Sequence, residues 1–257
     1  MIDETDRLKR AITSLRQHGR GRISVGAAFF TVDFPERIAL LDKFIANHPD
    51  VAIDLEMRWQ AELLRDLHKG KIGLVLTLGI PVPRSDLHAL TVRRKGTEGL
   101  FADDLRRIVL RSEPVTLLVP EESPMAACES VEPWMLSGQT VATLTHTFGD
   151  PIVRPINHAL ELAGALPFVP PESTAIGVVR YGCRFRIPAV SIGWFDKHML
   201  QDARMVKRSM ANLDLRTEFV LVRNNEPAGN AVEAFWKVAE DMFGQPRSPG
   251  EASFVSV

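Results

Sequence analysis

Cysteine is almost absent. The chain's two, Cys128 and Cys183, lie far apart and form no CxxC pair, so neither a disulfide nor a metal site can be argued from them. A reducing compartment fits such usage. An excess of positive charge is also missing: Lys plus Arg number 31 against 32 Asp plus Glu, a formal net charge of −1. Phosphate neutralisation supplies most of the non-specific affinity of nucleic-acid binders, which ordinarily makes them basic. Direct DNA binding by this chain is therefore not expected, and the short basic runs Arg93-Arg94-Lys95 and Arg204 to Arg208 read as solvated surface. No apolar run approaches the roughly 20 residues that cross a bilayer. Met1 to Asp6 is not a basic stretch followed by an apolar one, so it is not a signal peptide. These absences lead to the expectation of a soluble, cytoplasmic protein with no membrane partner.

Catalytic signatures are missing too. There is no G-x-S-x-G, no H-E-x-x-H, no i,i+4 histidine pair and no Cys/His/carboxylate cluster at ligand spacing. Gly19-Arg20-Gly21 precedes a strand, whereas a dinucleotide loop follows one. The expectation is a protein that is not an enzyme and has no cofactor and no metal.

What is present is a core-forming chain of 257 residues, long enough for one large domain or two lobes. Residues 4–18 read as a short amphipathic helix on Leu8, Ile12 and Leu15, with so narrow an apolar seam that it needs a partner. Ile23, Val25 and Ala27 then alternate with polar or small residues as a first strand. Asp33 is a candidate cap for the next helix, with Pro35 in its first turn and Ile38, Leu41, Phe44 and Ile45 on one face. A second strand runs from Val51 to Met57, a helix follows over 61–69 and ends at Gly70, and Ile72 to Leu78 is apolar throughout, as a strand covered on both faces should be. Strand, helix, strand, helix, strand predicts a parallel sheet with right-handed crossovers.

The pattern recurs. Val115 to Val119 and Val141 to Thr145 read as strands, Pro151 to Ala163 as a helix, Leu166 to Pro171 as a short extended stretch, and Ser173 to Tyr181 as a helix ending at Gly182. Glu218 to Val222 reads as a strand and Ala231 to Phe243 as a helix, before a tail rich in Pro, Gly and Ser. The coarse reading is α/β, in two lobes.

Several of these segments, in this order, resemble the effector-binding domain of LysR-type transcriptional regulators. The first is GRISVGAAF leading into FPERIALLDKFIANHPDVAIDLEM, whose Phe44, His48, Pro49, Val51, Ile53 and Leu55 match the family's strand entry. The second is AELLRDLHKGKIGLVLTLG, and the third EPVTLLVPEESPMA followed by SVEPWMLSGQTVATL. LELAGALPFVPPEST and EFVLVRNN with AVEAFWKV complete the match, which covers residues 4 to about 243. Two departures stand out: Gly73 where the family usually has Asp, and Gly182-Cys183-Arg184 where it has Gly-x-Gly.

The resemblance implies a type 2 periplasmic-binding-protein-like fold, two Rossmann-like lobes joined by two crossover segments with a small effector in the cleft. Mapped on this chain, 1–21 is a remnant of the linker helix, 22–113 plus 214–246 form lobe I, 114–213 form lobe II, and 247–257 is a flexible tail. The family's N-terminal winged helix-turn-helix has no counterpart here, so Met1 is read as a boundary rather than a native start. The implied partners are a small-molecule effector and a second copy, as homodimer or homotetramer, with DNA reached only through the missing domain. Stand-alone solute-binding proteins and small-molecule enzymes on the same fold remain as alternatives.

In such sheets ligands bind beyond the carboxyl ends of strands, where helix N-termini present unpaired N–H groups. Three junctions qualify: Phe30 and Thr31, Trp59 and Gln60, and Thr145, His146 and Thr147. Gln60 matches a family position that often carries a small hydroxyl residue. These seven residues are the candidate ligand contacts, for an organic ligand of aromatic or carboxylate type. The bland alternative is that the threonines cap helices or satisfy turns and that Phe29, Phe30, Phe34 and Trp59 are core aromatics. Leu78 stands where some relatives responsive to aromatic acids carry Arg, which leaves helix ends, His146, Arg58 or Arg184 to meet an anion.

Overall fold

In the computed structural model, strands and helices alternate from Arg22 onward. The structure describes residues 21–81, 105–194, 204–211, 215–226 and 228–244, with the side chain of Thr147 excepted. The expected helix over 4–18, the linker remnant 1–21 apart from Gly21, Arg93 to Lys95 and the tail 247–257 lie outside the described residues. The chain divides into two units. Among the described residues one holds 21–78, 105–111 and 219–244, and the other holds 79–81 and 112–218.

The first unit is built on β1 (Arg22–Ala28), β2 (Ala52–Arg58), β3 (Leu74–Gly79), β4 (Leu105–Pro114) and β11 (Arg216–Asn224), in the sheet order β2-β1-β3-β11-β4. Its first three strands are parallel, Ala27 standing opposite Met57 on one side and Leu76 on the other. Every residue of β3 is buried, as a mainly apolar run interrupted only by Thr77 predicts. On one face Ala28 packs with Leu63, Leu64 and Leu67 of α2 (Gln60–His68) and with Val220 and Val222. A Cβ on Gly26 would come 2.7 Å from Leu63 Cδ2, so glycine lets α2 lie close. The helices α1 (Pro35–Asn47) and α5 (Asn230–Phe243) meet through Phe44 and Phe235, whose centroids are 4.8 Å apart.

Helix α5 is fastened by charge as well as by apolar area. Arg223, only 4% exposed, donates from Nη1 to Glu233 Oε1 at 2.5 Å and lies 4.7 Å over the ring of Trp236. Trp236 Nε1 donates to Glu240 Oε1, which Arg106 approaches to 3.6 Å. Val232 on the same helix explains the departure at Gly73: a Cβ there would meet Val232 Cγ2 at 2.7 Å, leaving no room for an aspartate.

The second unit carries β5 (Thr116–Pro120), β6 (Ser130–Val131), β7 (Thr140–Ala142), β8 (Leu166–Phe168), β9 (Ala189–Ser191) and β10 (Met205–Met210), in the order β6-β10-β5-β9-β7-β8. β5 is antiparallel to both β9 and β10, while β7 runs parallel to β8 and β9. Two helices, α3 (Asp150–Leu162) and α4 (Ala175–Phe185), complete it. Helix α3 contains Pro155, which has no N–H to give the carbonyl of Pro151. That carbonyl instead accepts the N–H of Ile80 at 3.0 Å.

Four local expectations are corrected. Asp33 does not cap α1: Phe34 is the N-cap residue, with no side-chain hydrogen bond, and Pro35 begins the helix. The buried face of α1 is Arg37, Leu40 and Phe44, with Ile38 and Ile45 about half exposed, because the sheet and α5 meet the helix one step round from the all-apolar stripe. Helix α4 does not end at Gly182. It starts two residues later than expected, at Ala175, capped by Thr174 Oγ1 on the Gly177 N–H at 3.0 Å, and runs to a left-handed Arg186. Gly182 serves contact, since a Cβ there would meet that of Ala189 at 2.5 Å. Nor is Arg208 a freely solvated residue, for its Nη2 donates to the carbonyl of Ala126 at 2.5 Å.

The Arg223–Glu233 pair sets an asymmetric expectation. Glu233→Ala strands a buried guanidinium and should cost about 3 kcal/mol, the low end for a broken buried pair because the carboxylate is half exposed. Arg223→Met removes the buried charge and should cost about 1 kcal/mol, mainly the lost ring contact. The hydrogen bond from Arg223 holds the Glu233 carboxyl below the ordinary glutamate range against the opposing effect of burial. Stability from this source is therefore full above that range and lost as pH falls through the folded value. Urea midpoints between pH 7 and pH 3 should fall more steeply for the native sequence than for Arg223→Met.

Candidate functional site

The parallel pairing of β1 and β2 ends with Ala28 opposite Arg58, which brings the residues that follow each strand side by side. Phe29, Phe30 and Thr31 form one 3-10 turn after β1, and Trp59 is the N-cap residue of α2 after β2. The rings of Phe29 and Trp59 touch edge to face, 5.5 Å between centroids, and both are about half exposed. Four of the seven predicted residues thus meet at one edge of the first unit.

Their chemistry differs. Thr31 is fully buried, and its hydroxyl donates to the carbonyl of Ala28 at 2.7 Å, so it closes its own turn. Its lone pairs remain able to accept. Gln60, 1% exposed, opens α2 and turns its amide inward: Nε2 donates to Thr77 Oγ1 at 2.8 Å and to the carbonyl of Leu78 at 2.5 Å. Those two acceptors fix the amide orientation and leave Oε1 as a buried acceptor without a partner among the described residues. No side chain caps the first turn of α2. This edge therefore offers backbone donors at a helix end, one buried amide oxygen and an exposed aromatic pair.

Phe30 packs against the Ala28 and Leu63 cluster, and Phe34 lies edge to face on Phe219 at 4.9 Å. Of the four aromatics, only Phe29 and Trp59 are exposed. Arg58 is not an open cation, for it pairs with Asp66 and Glu56, each at 2.8 Å. The hydrogen bond from Arg58 draws the Asp66 carboxyl below its ordinary value.

In the second unit Thr145 is the N-cap residue of the 3-10 turn His146–Phe148, which leads into α3. Its side chain does not cap that turn. His146 is largely exposed and places Nδ1 3.5 Å from Asp150 Oδ1. Thr147 shares the turn, but its side chain lies outside the described residues. Arg184, exposed on α4, borders a groove of about 330 Å³ with Glu172, Arg180, Tyr181 and Phe185. Sequence reasoning missed Arg37, which ranks among solvent-facing residues by type yet is 5% exposed here. Its spacing of three from Leu40 and seven from Phe44 was the available signal.

Both cysteines are free. Burial pushes the Cys183 thiol up, and Cys128 Sγ lies 3.6 Å from the carbonyl of Pro124. Among the described residues no group of three His, Cys, Asp or Glu residues is arranged to hold a metal ion.

The family model for the LysR substrate binding domain matches residues 16–244. The chain belongs to that family. Its fold is accordingly the two-lobed, type 2 periplasmic-binding-protein-like one, and the family is that of regulatory, effector-binding domains of LysR-type transcriptional regulators. No curated protein matches the sequence. Among solved structures, the effector-binding domain of QuiR in complex with shikimate is similar at a TM-score of 0.61 and 15% identity, over 88% of this chain and 98% of that one. The C-terminal domain of a probable LysR family regulator from Rhodococcus sp. RHA1 gives 0.63 and 13%, over 86% and 98%. The regulatory domain of Synechocystis PCC6803 CcmR in complex with 2-PG gives 0.62 and 10%, over 87% and 98%. At these identities the likeness is one of fold. No helix among the described residues is long and apolar enough to cross a membrane.

Gln60 is the residue whose loss separates its structural from its binding role. Gln60→Leu leaves the Leu78 carbonyl and Thr77 hydroxyl without their buried donor, and should destabilise the domain by about 1–3 kcal/mol in urea denaturation.

Proposed function

We propose that this LysR substrate-binding domain senses a small organic effector and passes the signal to a DNA-reading domain of the same cytoplasmic regulator, without catalysing a reaction. The observation that carries the reading is the family match together with the polar strand ends. Phe30, Thr31, Trp59 and Gln60 in the first unit and Thr145, His146 and Thr147 in the second are the proposed effector contacts, with lobe I over 22–113 plus 214–246 and lobe II over 114–213. Relatives of the same fold, solved with shikimate and with 2-PG, support a small molecule as the effector class. A ligand that prefers one conformation shifts the equilibrium toward it by its differential affinity, which is how such binding becomes a signal.

The proposed partner besides the effector is a second copy, as homodimer or homotetramer, with the first unit of one copy facing the second unit of the other. Each unit has an edge strand with exposed apolar residues beside an exposed helix stripe. In the first, Leu55 and Met57 of β2 accompany Ile38 and Ile45 of α1; in the second, Leu166 and Phe168 of β8 accompany Ile176 and Phe185 of α4. Unpaired edges with apolar surface call for cover.

A thermal-shift panel of organic acids and aromatic metabolites tests the sensor. A true effector at 100 times its dissociation constant should stabilise the domain by about 2.7 kcal/mol, and Thr31→Ala with Thr145→Ala should abolish that shift while the fold persists. Unchanged affinity in the double variant removes the site assignment. For assembly, sedimentation should show a dimer at micromolar concentration, weakened at least tenfold by Ile38→Asp with Ile45→Asp. A native-sequence monomer at that concentration removes the proposed interface.

A further inference from the structure

The carboxamide of Gln60 is divided in its use. Its nitrogen is spent on Thr77 Oγ1 at 2.8 Å and on the Leu78 carbonyl at 2.5 Å. A carbonyl only accepts, so the nitrogen and oxygen of the amide cannot be exchanged. Oε1 is left as an acceptor, buried with a residue that is 1% exposed and without a partner among the described residues.

Two backbone donors stand at the same helix start. In α2 the N–H groups of Glu62 and Leu63 turn back to the Trp59 carbonyl at 3.1 Å, whereas those of Gln60 and Ala61 have no acceptor among the described residues. Free N–H groups at a helix end ordinarily suit an anion. Here the neighbouring groups oppose one. Glu62 puts an acid into the first turn, and the nearby cation Arg58 is held by Asp66 and Glu56, each at 2.8 Å. A carboxylate has only acceptors, so it would meet Oε1 with nothing to give, away from water. A hydroxyl has both functions: it can donate to Oε1 and accept from a backbone N–H.

Trp59 gives the way in. It immediately precedes Gln60, is 51% exposed, and meets the half-exposed ring of Phe29 edge to face. Exposed side chains change rotamer readily, so the edge opens by movement of a surface ring while the leucine and valine packing under α2 stays in place. The same two rings offer apolar faces to a flat ligand. Trp59 lies beyond the Leu55 and Met57 edge assigned to a second copy, so the two surfaces do not compete.

Resting on the effector reading, we propose that Gln60 makes the first unit's part of the site selective for an uncharged hydroxyl on a flat, apolar body, and not for a carboxylate. The hydroxyl donates to Oε1 and accepts from the first turn of α2, and Phe29 and Trp59 pack on the body that carries it.

Three probes built on one ring test this: phenol, which donates and accepts, anisole, which only accepts, and sodium benzoate. Each is titrated at constant ionic strength into the intact chain carrying carbon-13 in its glutamine carboxamides, the Gln60 signal being the one lost in Gln60→Leu. Phenol should move the Gln60 carbon downfield saturably, as a hydrogen bond received by its oxygen does, and anisole and benzoate should not. Gln60→Leu should bind phenol at least tenfold more weakly. Gln60→Ser, whose hydroxyl can donate, should bind benzoate at least tenfold more tightly than the native sequence, a gain that a merely structural Gln60 does not give. The native chain supplies the carbon signal, so the answer does not hang on the stability of either variant. No phenol binding, an equal response to anisole, tighter binding of benzoate than of phenol, or phenol binding that leaves the Gln60 carbon unmoved overturns the proposal, as does a folded Gln60→Ser that gains no benzoate. An effector from the organic-acid panel that depends on Thr31 and Thr145 yet carries no hydroxyl also overturns it, and leaves the sensor reading standing. Phenol on Gln60 in a domain that answers to no effector upholds the chemistry of this edge and removes the sensor reading.

Discussion

Parallel strands all end at the same edge of a sheet, and the first unit is organised by that fact. With Ala28 opposite Arg58 and Ala27 opposite both Met57 and Leu76, three chain segments leave the sheet together. The 3-10 turn after β1 and the start of α2 become neighbours although about 30 residues separate them in sequence. An antiparallel arrangement would send alternate turns to opposite ends and disperse the same side chains. The aromatic pair Phe29 and Trp59, the buried amide of Gln60 and the hydroxyl of Thr31 share an edge because of strand direction, and no local motif is needed to gather them.

The two faces of that sheet are then used differently. The α2 face is closed by leucine and valine and by an amide that spends its nitrogen on Thr77 and Leu78. The other face carries larger aromatics and two buried guanidinium groups, one neutralised and one not. Apolar burial supplies most of the driving force on both faces. The charged groups mark where helices are positioned, and α5 is held where it is by Arg223 and Trp236 as well as by Phe235.

Strand periodicity and the apolar run at Ile72 to Leu78 made the first unit's sheet legible in the sequence, and the ordered segments made the family legible. Glycine was read less well. Gly182 looked like a helix stop and is a contact point, because a missing Cβ can serve a left-handed backbone or a close neighbour and the sequence does not say which. Helix α1 shows the other limit: Ile38 and Ile45 are the more hydrophobic residues, but Arg37 is buried in their place, since the sheet's position rather than residue type selects the inward face. At the candidate site, residue identity located the ends of β1 and β2, but the strand read as Val141 to Thr145 stops at Ala142, three residues before Thr145. That Gln60 points its nitrogen inward, and that Thr31 closes its own turn, depend on acceptors elsewhere in the fold.

Helix α3 shows how a residue unsuited to a helix can specify what lies outside it. Pro155 withholds the amide that would compete for the Pro151 carbonyl, and the vacated acceptor is taken by Ile80, two residues beyond the last residue of the first unit's opening segment. The backbone entering the second unit is therefore received by one carbonyl that the α-helical amide four residues on does not claim. An alanine at that position would make the helix more regular and the address ambiguous, so helical imperfection here encodes where a long-range connection docks.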